Sequence, residues 1–558
     1  MKLKSKILMP TLLLGALAIG TISACGNPEE PNPDVPDGKT KVVFWTNIWD
    51  PADEPTGEAT MMDAIVKAFE DKYPNIDVEY EQSGQYATIN ETIQTNLNNI
   101  NNLPNMAVCY PDYVVNYLQS GRVLKMDSFM NSTEYGFGHD ANNNGAAESD
   151  TIANDMNEAF LKEGQQYSVE GTFSLPWYKN SEALFYNSDV LDKQLGAGKY
   201  EDKLSNWEGL IEIARELKTK SFDTYWSTWV GGDDGGYQIL PHHVYWKGED
   251  IPTDGKAPNN YATPISYDSI DNLFITFAEM MDVPYTAGDT NKDGKITKDE
   301  AILFYNPTTG AAEKTVQMIK MLKGWYDEGL ITTSEMLDAK GDGSYGCWNE
   351  YTYNQNSFIY INGSKNAWYG SYNTFRGKVL PTPVIDDGML KDTPEVSNKN
   401  ADSKAMSQGA NIVFFDKGNE ANEAAWLFYK FLTNTENAST VGLQMTSMPV
   451  RSSSYETEEF KAATAAKDDF PEEISDPKTN STNQAENYEY LQANVYDIYQ
   501  QYDKNTQTFV APVSQFSSSA RSAIEKMMIN VFKYEAKDDA DLTSYIEDEL
   551  EAAYNQVA

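Results

Sequence analysis

The sequence predicts an α/β protein. Short, continuously apolar runs suit strands buried on both faces, and amphipathic helical stretches alternate with them. The chain has 558 residues, enough for two or three domains at about 100–200 residues each. That length supports buried cores without disulfide or metal staples.

The elements follow in order. Lys41-Val42-Val43-Phe44-Trp45 is a short apolar run that reads as a doubly buried strand. A helix is expected around Met61–Tyr73, because Met62, Ile65, Val66 and Phe69 share one face at i, i+3, i+4, i+7. Pro74 stops it. Ile76, Val78 and Tyr80 then alternate as a strand does, which completes a βαβ unit with a right-handed crossover. A helix through Ile89–Ile100 and a strand over Met106–Tyr110 follow. The alternation returns with a strand at Leu184–Tyr186 and a helix over Trp207–Leu217. Val316, Ile319, Leu322 and Tyr326 line another helix, ending at Gly329. Phe358–Ile361, Val379–Val384 and Ile412–Phe415 are strand runs, the first closed by Asn362-Gly363. Ala421–Leu432 and Ser519–Phe532 read as helices, with a further one after Asp541. The Asn/Ser-rich stretches 131–158 and 470–485 read as surface insertions.

The charge balance excludes some partners. With 43 Lys and Arg against 84 Asp and Glu, the net charge is −41. Such a chain repels phosphate backbones, so no nucleic-acid partner is expected. Anionic bilayers are equally poor partners, so membrane association requires a separate anchor. Aromatics reach 12%, with 35 Tyr and 11 Trp, a supply of flat surfaces with polar tips suited to ligand recognition. Three Cys and three His argue against a disulfide scaffold or a zinc site of the usual kinds. His242-His243 are adjacent and point to different sides of a regular element.

The first residues read as an address. Lys2, Lys4 and Lys6 precede an apolar run from Ile7 to Ile22, the pattern of a secretory signal over residues 1–24. Pro10 and Gly15 interrupt the run, which is short for a spanning helix. It ends at Ile22-Ser23-Ala24-Cys25-Gly26, which resembles the bacterial lipobox. The resemblance implies cleavage before Cys25 and a fatty-acyl lipid of the palmitate class on it. Residues 26–40, with four Pro among acidic and small residues, favour an extended tether reaching roughly 45 Å. The expectation is a body anchored outside the cytoplasmic membrane by its N-terminal lipid alone. Cys109 and Cys347 are then exported, and the sequence leaves open whether they are bonded.

The succession of blocks resembles the extracellular solute-binding proteins, family 1, of carbohydrate ABC importers, the maltodextrin-binding class. VVFWTNIWD resembles that family's first strand, and MMDAIVKAFEDKYPNIDVEY its next helix and strand. LPNMAVCYPDYVVNYLQSGRVLKMD is similar to the block usually written as PDV, an aromatic, then a G.L..L ending. FSLPWYKNSEALFYNSDVL resembles the first crossing strand, with its YN.D.L ending. WEGLIEIARELK, FIYING, SQGANIVFFDKGNEANEAAWLFYKFLTNTENAST, MPVR and the closing helices resemble later blocks. The chain is longer than typical members, with insertions near 131–158, 230–262 and 282–305.

The resemblance implies a two-lobed periplasmic-binding-protein-like fold of type II, its lobes joined by crossing hinge strands. Lobe one is expected over 41–178 plus 408–480, and lobe two over 179–407 plus 481–558. A carbohydrate, an oligosaccharide by expectation, binds in the interlobe cleft of a monomer and is handed to the permease subunits of an ABC importer. No catalysis is implied.

A sugar offers hydroxyl rims and weakly apolar faces. Its site needs aromatic platforms and planar groups that make paired hydrogen bonds. Open α/β sheets place such sites beyond the carboxyl ends of strands. This selects Trp45 and Trp49 after the first strand, and Tyr110 and Asp112 after the third. Trp177 and Tyr178 lie on the crossing segment, Trp226 and Trp229 beside a Gly-rich stretch. Trp368 and Tyr369, with Tyr372, follow FIYING; Gln408 and Asn411 flank Gly409; Arg451 and Arg521 can donate paired bonds.

The sharpest local motif is residues 289–300, which matches the twelve-residue EF-hand template. Asp289, Asn291 and Asp293 supply side-chain oxygens, Gly294 allows the turn, and Lys295 offers its carbonyl. Thr297 ligates directly or through water, and Glu300 closes the shell with two oxygens. The expectation is a structural Ca2+ site, entered from a helix bearing Leu273, Phe274, Phe277 and Met281. A second start, Asp140 to Gly145, reaches Thr151 at position 12 and reads as a turn.

A calcium-stabilised secreted glycoside hydrolase or a surface glycan-binding protein would share the aromatics, the acidity and the loop. Paired carboxylates carry glycoside hydrolysis, and 84 acidic residues leave that alternative standing. The sequence holds no G-x-S-x-G, H-E-x-x-H or P-loop.

Overall fold

The computed structural model describes residues 38–48, 57–137, 155–230, 236–252, 260–291, 293, 295–337, 346–385, 405–471, 481–505 and 508–557. The signal segment, Cys25, most of the tether and the 140–151 loop lie outside them. Among the described residues no helix is long and apolar enough to cross a membrane.

Two five-stranded mixed sheets organise the chain. The first runs Ile76–Gln82, Thr40–Thr46, Met106–Cys109, Asn411–Phe414, Ser174–Pro176. Its first three strands are parallel, with Val42 opposite Val78 and Phe44 opposite Met106. Asn411–Phe414 joins antiparallel. Helix Glu58–Lys72 buries Met61, Met62, Ile65 and Phe69, then gives way at Tyr73 before Pro74. The second sheet runs Ile331–Thr333, Ile265–Tyr267, Ile359–Gly363, Glu182–Asn187, Gly377–Leu380. Helices Trp207–Leu217, Ile270–Met280, Glu313–Asp327 and Ser517–Lys533 bury apolar faces around it. Each sheet centres one lobe.

The lobes are joined by three segments. The chain leaves the first sheet at Pro176, pairs Tyr178–Lys179 with Met448–Pro449, and enters the second sheet at Glu182. It returns through Ala405–Met406, which pairs with Thr508–Phe509, and through a bridge between Gln408 and Asn180. Gly409, at φ +106°, lies where a Cβ would meet the Tyr178 carbonyl at 2.9 Å. Only glycine lets these two crossing backbones approach so closely. A buried cluster ties the crossings. Lys179 pairs with Glu163 and donates to Asn411 Oδ1 at 2.6 Å, while Ser407 Oγ donates to Glu163 at 2.7 Å.

Helix Ser481–Asn505 is the third connection and the largest departure from the sequence expectation. Its Leu491, Val495, Tyr496, Tyr499 and Tyr502 are buried. Tyr502 receives the Thr382 amide at 2.8 Å in one lobe, and Tyr496 donates to the Leu443 carbonyl at 2.7 Å in the other. Asn, Gln and Tyr are indifferent helix formers, so tertiary packing fixes this helix: Leu491, Val495 and Ile498 recur at i, i+4, i+7 and are buried together with the three tyrosines. The Asp223–Val230 and Gly236–His243 strands form an antiparallel hairpin, where the sequence suggested only a Gly-rich loop. Cys109 and Cys347 are both free and buried, with Cys109 closing strand Met106–Cys109 of the first sheet. Cys347 Sγ contacts the Tyr267 carbonyl at 3.4 Å.

Candidate functional site

A cavity of about 320 Å3 opens where the lobes meet. Its lobe-one wall follows from strand Met106–Cys109. Tyr110 is the N-cap of helix Pro111–Leu118, with Pro111 at the first helical position. The Tyr110 ring therefore stands at the carboxyl end of a central parallel strand, as the fold class requires of a ligand contact. It stacks on Tyr86 at 4.4 Å between centroids and meets the edge of Tyr113 at 5.6 Å. Tyr86 in turn lies 3.1 Å, hydroxyl to hydroxyl, from Tyr178. Asp112 sits in the first turn of the same helix. Burial raises its carboxyl above the usual range, opposed by Arg521 and by the amides of its own helix start.

Lobe two supplies Tyr285, Thr286 and Arg521. Arg521 projects from helix Ser517–Lys533 and is held by Asp271 and the Asn272 side-chain oxygen. The floor is the return crossing, Ser407, Gln408 and Gly409. Two buried polar atoms of cavity residues, Gln408 Nε2 and Thr286 Oγ1, have no partner among the described residues. Unmet buried polar groups are costly, and a hydroxyl-bearing ligand can satisfy both.

The sequence-derived residues divide clearly. Tyr110, Asp112, Gln408 and Arg521 line this cavity, drawn from both lobes and a crossing. Four others are corrected to interior positions. Trp177 is 1% exposed and packs between Phe44 and Tyr178. Tyr178 is buried behind Tyr86. Asn411 is fully buried, bonded to Lys179 and to Ser174 Oγ. Arg451 is fully buried, donates to the Thr433 carbonyl, and lies 5.4 Å over the Phe137 ring. Each stabilises a crossing or the lobe-one core, because a residue inside a doubly covered sheet has no ligand-facing surface. Trp45 packs half-buried against the lobe-one core, outside the cavity lining. Trp226 lies on the lobe-two hairpin, also outside it. Trp49 and the side chains of Trp229, Trp368 and Tyr369 lie outside the described residues. Tyr86, Tyr113, Tyr285 and Thr286 were not singled out from sequence. Tyr113 stands one turn from Tyr110, which is the signal that could have found it.

The 289–300 segment adjoins the lobe-two wall, three residues beyond Thr286. The Asp293 amide donates to Asn291 Oδ1 at 2.8 Å and to Asp289 Oδ1 at 3.2 Å. The Lys295 amide donates to Asp293 Oδ1 at 2.8 Å. Glu300 folds back to accept from the Thr290 and Asn291 amides at 2.8 and 3.0 Å, which holds its carboxyl below the usual range. Thr297 caps the short helix Lys298–Ala301. Among the described residues no group of three or more His, Cys, Asp and Glu side chains gathers as a metal site.

A model of the bacterial extracellular solute-binding proteins matches residues 64–468. The chain belongs to this family. No curated protein matches the sequence. The solved structures it resembles are distant in sequence. The GacH receptor of Streptomyces glaucescens, solved unliganded and with acarbose, is 14% identical at a TM-score of 0.54, covering 93% of this chain and 100% of that one. The sugar-binding protein MalE of Xanthomonas citri is 14% identical at 0.56, covering 92% and 98%. UgpB of Mycobacterium tuberculosis, in complex with glycerophosphocholine, is 13% identical at 0.55, covering 93% and 99%. These likenesses establish the two-lobed fold of the solute-binding protein.

Proposed function

We propose that this solute-binding protein captures a carbohydrate, an oligosaccharide, between its lobes and delivers it to the permease of an ABC importer. The observation that carries the reading is the composition of the interlobe cavity. Tyr110 backed by Tyr86, a carboxylate, an arginine and two polar atoms without a partner among the described residues converge from both lobes. Aromatic faces suit the C–H surface of a sugar, and the polar groups suit its hydroxyls. A ligand touching both walls stabilises a closed form that a one-lobe ligand does not. Delivery to a permease then requires only that the closed form be recognised.

The finer parts of the reading rest on the sequence. Cys25 carries the lipid, and the Pro-rich tether lets the body sit at the outer face of the cytoplasmic membrane as a monomer. The 289–300 loop binds Ca2+ as a structural clamp. Its carboxylate, amide, hydroxyl and carbonyl oxygens suit a hard cation. The loop is tied to the C-terminal helices. Lys298 Nζ donates to the Val557 carbonyl at 2.6 Å, Tyr554 to Asp299, and Gln515 Nε2 to the Ile296 carbonyl at 3.2 Å. A clamp there steadies the wall that carries Tyr285.

Incubation with a panel of oligosaccharides tests the reading. Saturable binding with no products supports a receptor. Turnover of a glycan identifies a hydrolase instead.

A further inference from the structure

We propose that lobe two carries a second saccharide site, separate from the interlobe cleft and sized for a neutral mono- or disaccharide. It is a cavity of about 420 Å3 between helix Ser188–Leu195 and the paired strands Asp223–Val230 and Gly236–His243. That volume lies within the range of small-molecule sites.

The two cavities share no lining residue. Strand Glu182–Asn187 separates them. Its Glu182 end adjoins the crossings, where Asn180 bridges Gln408, and its Asn187 end enters the new cavity. The intervening strand spans about 17 Å.

The cavity is built, not merely left over. Asn187 is fully buried and caps the helix, its Oδ1 accepting the Val190 amide at 3.0 Å. Its Nδ2 has no partner among the described residues. A buried amide donor without an acceptor is destabilising unless a ligand or water supplies one. On the floor, Gln355 is 2% exposed and sits at φ +48°, a left-handed value that non-glycine residues rarely adopt. It follows the π-helix Asn349–Tyr353, a distortion that concentrates at functional positions. Gln355 Nε2 donates to Thr374 Oγ1 at 2.6 Å, which fixes the floor. The hairpin wall is fixed by His242, whose Nε2 lies 2.8 Å from both Thr224 Oγ1 and the Asn354 carbonyl.

The unmet chemistry at this cavity defines the ligand. Asp189 is engaged by the Arg376 amide and Nε at 2.8 and 2.7 Å, and Asp223 by His243 Nδ1 at 2.8 Å. Asp189 is therefore matched by a permanent cation, and Asp223, at 68% side-chain exposure, is hydrated, which leaves no strong demand for a bound cation. Asn187 Nδ2 remains as a donor deep inside, with the Gln194 amide and the Lys193 ammonium nearer the rim. Tyr225, 49% exposed, offers a flat ring at the mouth. An acceptor-rich ring with an apolar face, which is a sugar unit, fits this set. Because every wall belongs to lobe two, binding here is independent of lobe closure. The site holds a glycan end without engaging the hinge.

The test is calorimetric titration of the full chain bearing Tyr110→Ala, which weakens the cleft. The probes are neutral mono- and disaccharides of glucose, galactose, mannose and xylose. At least one is expected to bind saturably, and adding Tyr225→Ala is expected to weaken it tenfold or more. Asn187→Leu, checked for folding by circular dichroism, is expected to do the same. Absence of saturable binding across the panel overturns the proposal, as does binding that Tyr225→Ala leaves unchanged.

Discussion

Tyr110 stacks on Tyr86 with ring centroids 4.4 Å apart and planes 27° from parallel, at the mouth of the interlobe cavity. Tyr86 opens one lobe-one helix and Tyr110 caps the N-terminus of another. Tyr110 is the member that lines the cavity, and Tyr86 supports it from behind. Removing Tyr110 with Tyr110→Ala should therefore cost ligand affinity more than fold stability. The expected loss is at least tenfold in Kd, about 1.4 kcal/mol, with an unliganded Tm within a few degrees of the parent. Titration calorimetry beside a thermal melt separates the two effects.

The Lys179–Glu163 pair is almost fully enclosed, at 1% and 3% side-chain exposure, beneath the crossings. Breaking one partner leaves a buried charge without compensation. Lys179→Met should destabilise the chain by about 3–5 kcal/mol. The double variant Lys179→Met, Glu163→Leu should recover most of that loss. Urea unfolding monitored by tryptophan fluorescence measures both. A single variant as stable as the parent contradicts this role.

Glu182 gives a pH signature. Burial pushes its carboxyl up to about 7, against the hydrogen bond donated by Tyr267, with Asp268 adding to the rise. A raised folded pKa means that the folded state binds the proton more tightly. This group's stabilising contribution is present below about 4.5 and is lost as pH rises through about 7. Glu182→Gln removes the titration and keeps the shape. The variant should gain stability relative to the parent as pH goes from 5 to 8, by on the order of 2–3 kcal/mol. Melts of both proteins across that range check it. A constant difference between them contradicts the assignment.

The calcium clamp makes a separate prediction. Ligation of the folded state alone stabilises by about 2.7 kcal/mol at one hundred times Kd. EGTA should lower the Tm of the parent, and excess Ca2+ should restore it. Glu300→Gln should melt near the chelated parent and respond little to either. A parent melt indifferent to EGTA refutes the clamp.

What the sequence made legible follows from which signals are local. The strand at Lys41–Trp45 announces itself by its continuous apolar run and the helix carrying Met62, Ile65 and Phe69 by its periodicity, and the structure has both. Tyr110 and Asp112 could be placed because a cleft lies beyond strand ends. Trp177 and Arg451 misled because composition alone does not separate a platform from a core residue. Both lie beside crossing strands covered on each side, which only tertiary packing reveals. Helix Ser481–Asn505 escaped for a related reason: Leu491, Val495 and Ile498 do recur at i, i+4, i+7, but the many Asn, Gln and Tyr residues among them dilute the hydrophobic period. Tyr285 and Thr286 escaped because they sit in an insertion, next to a motif that drew attention to its own oxygens.

The central claim is that a carbohydrate is the ligand held between the lobes. Titration calorimetry of the parent chain against oligosaccharides, with glycerophosphocholine as the contrasting ligand, tests it most directly. One oligosaccharide is expected to saturate the protein, with tight binding that Tyr110→Ala weakens at least tenfold, and glycerophosphocholine is expected to give no heat. Saturation by glycerophosphocholine with no response to any glycan, or glycan binding that Tyr110→Ala leaves intact, would contradict it.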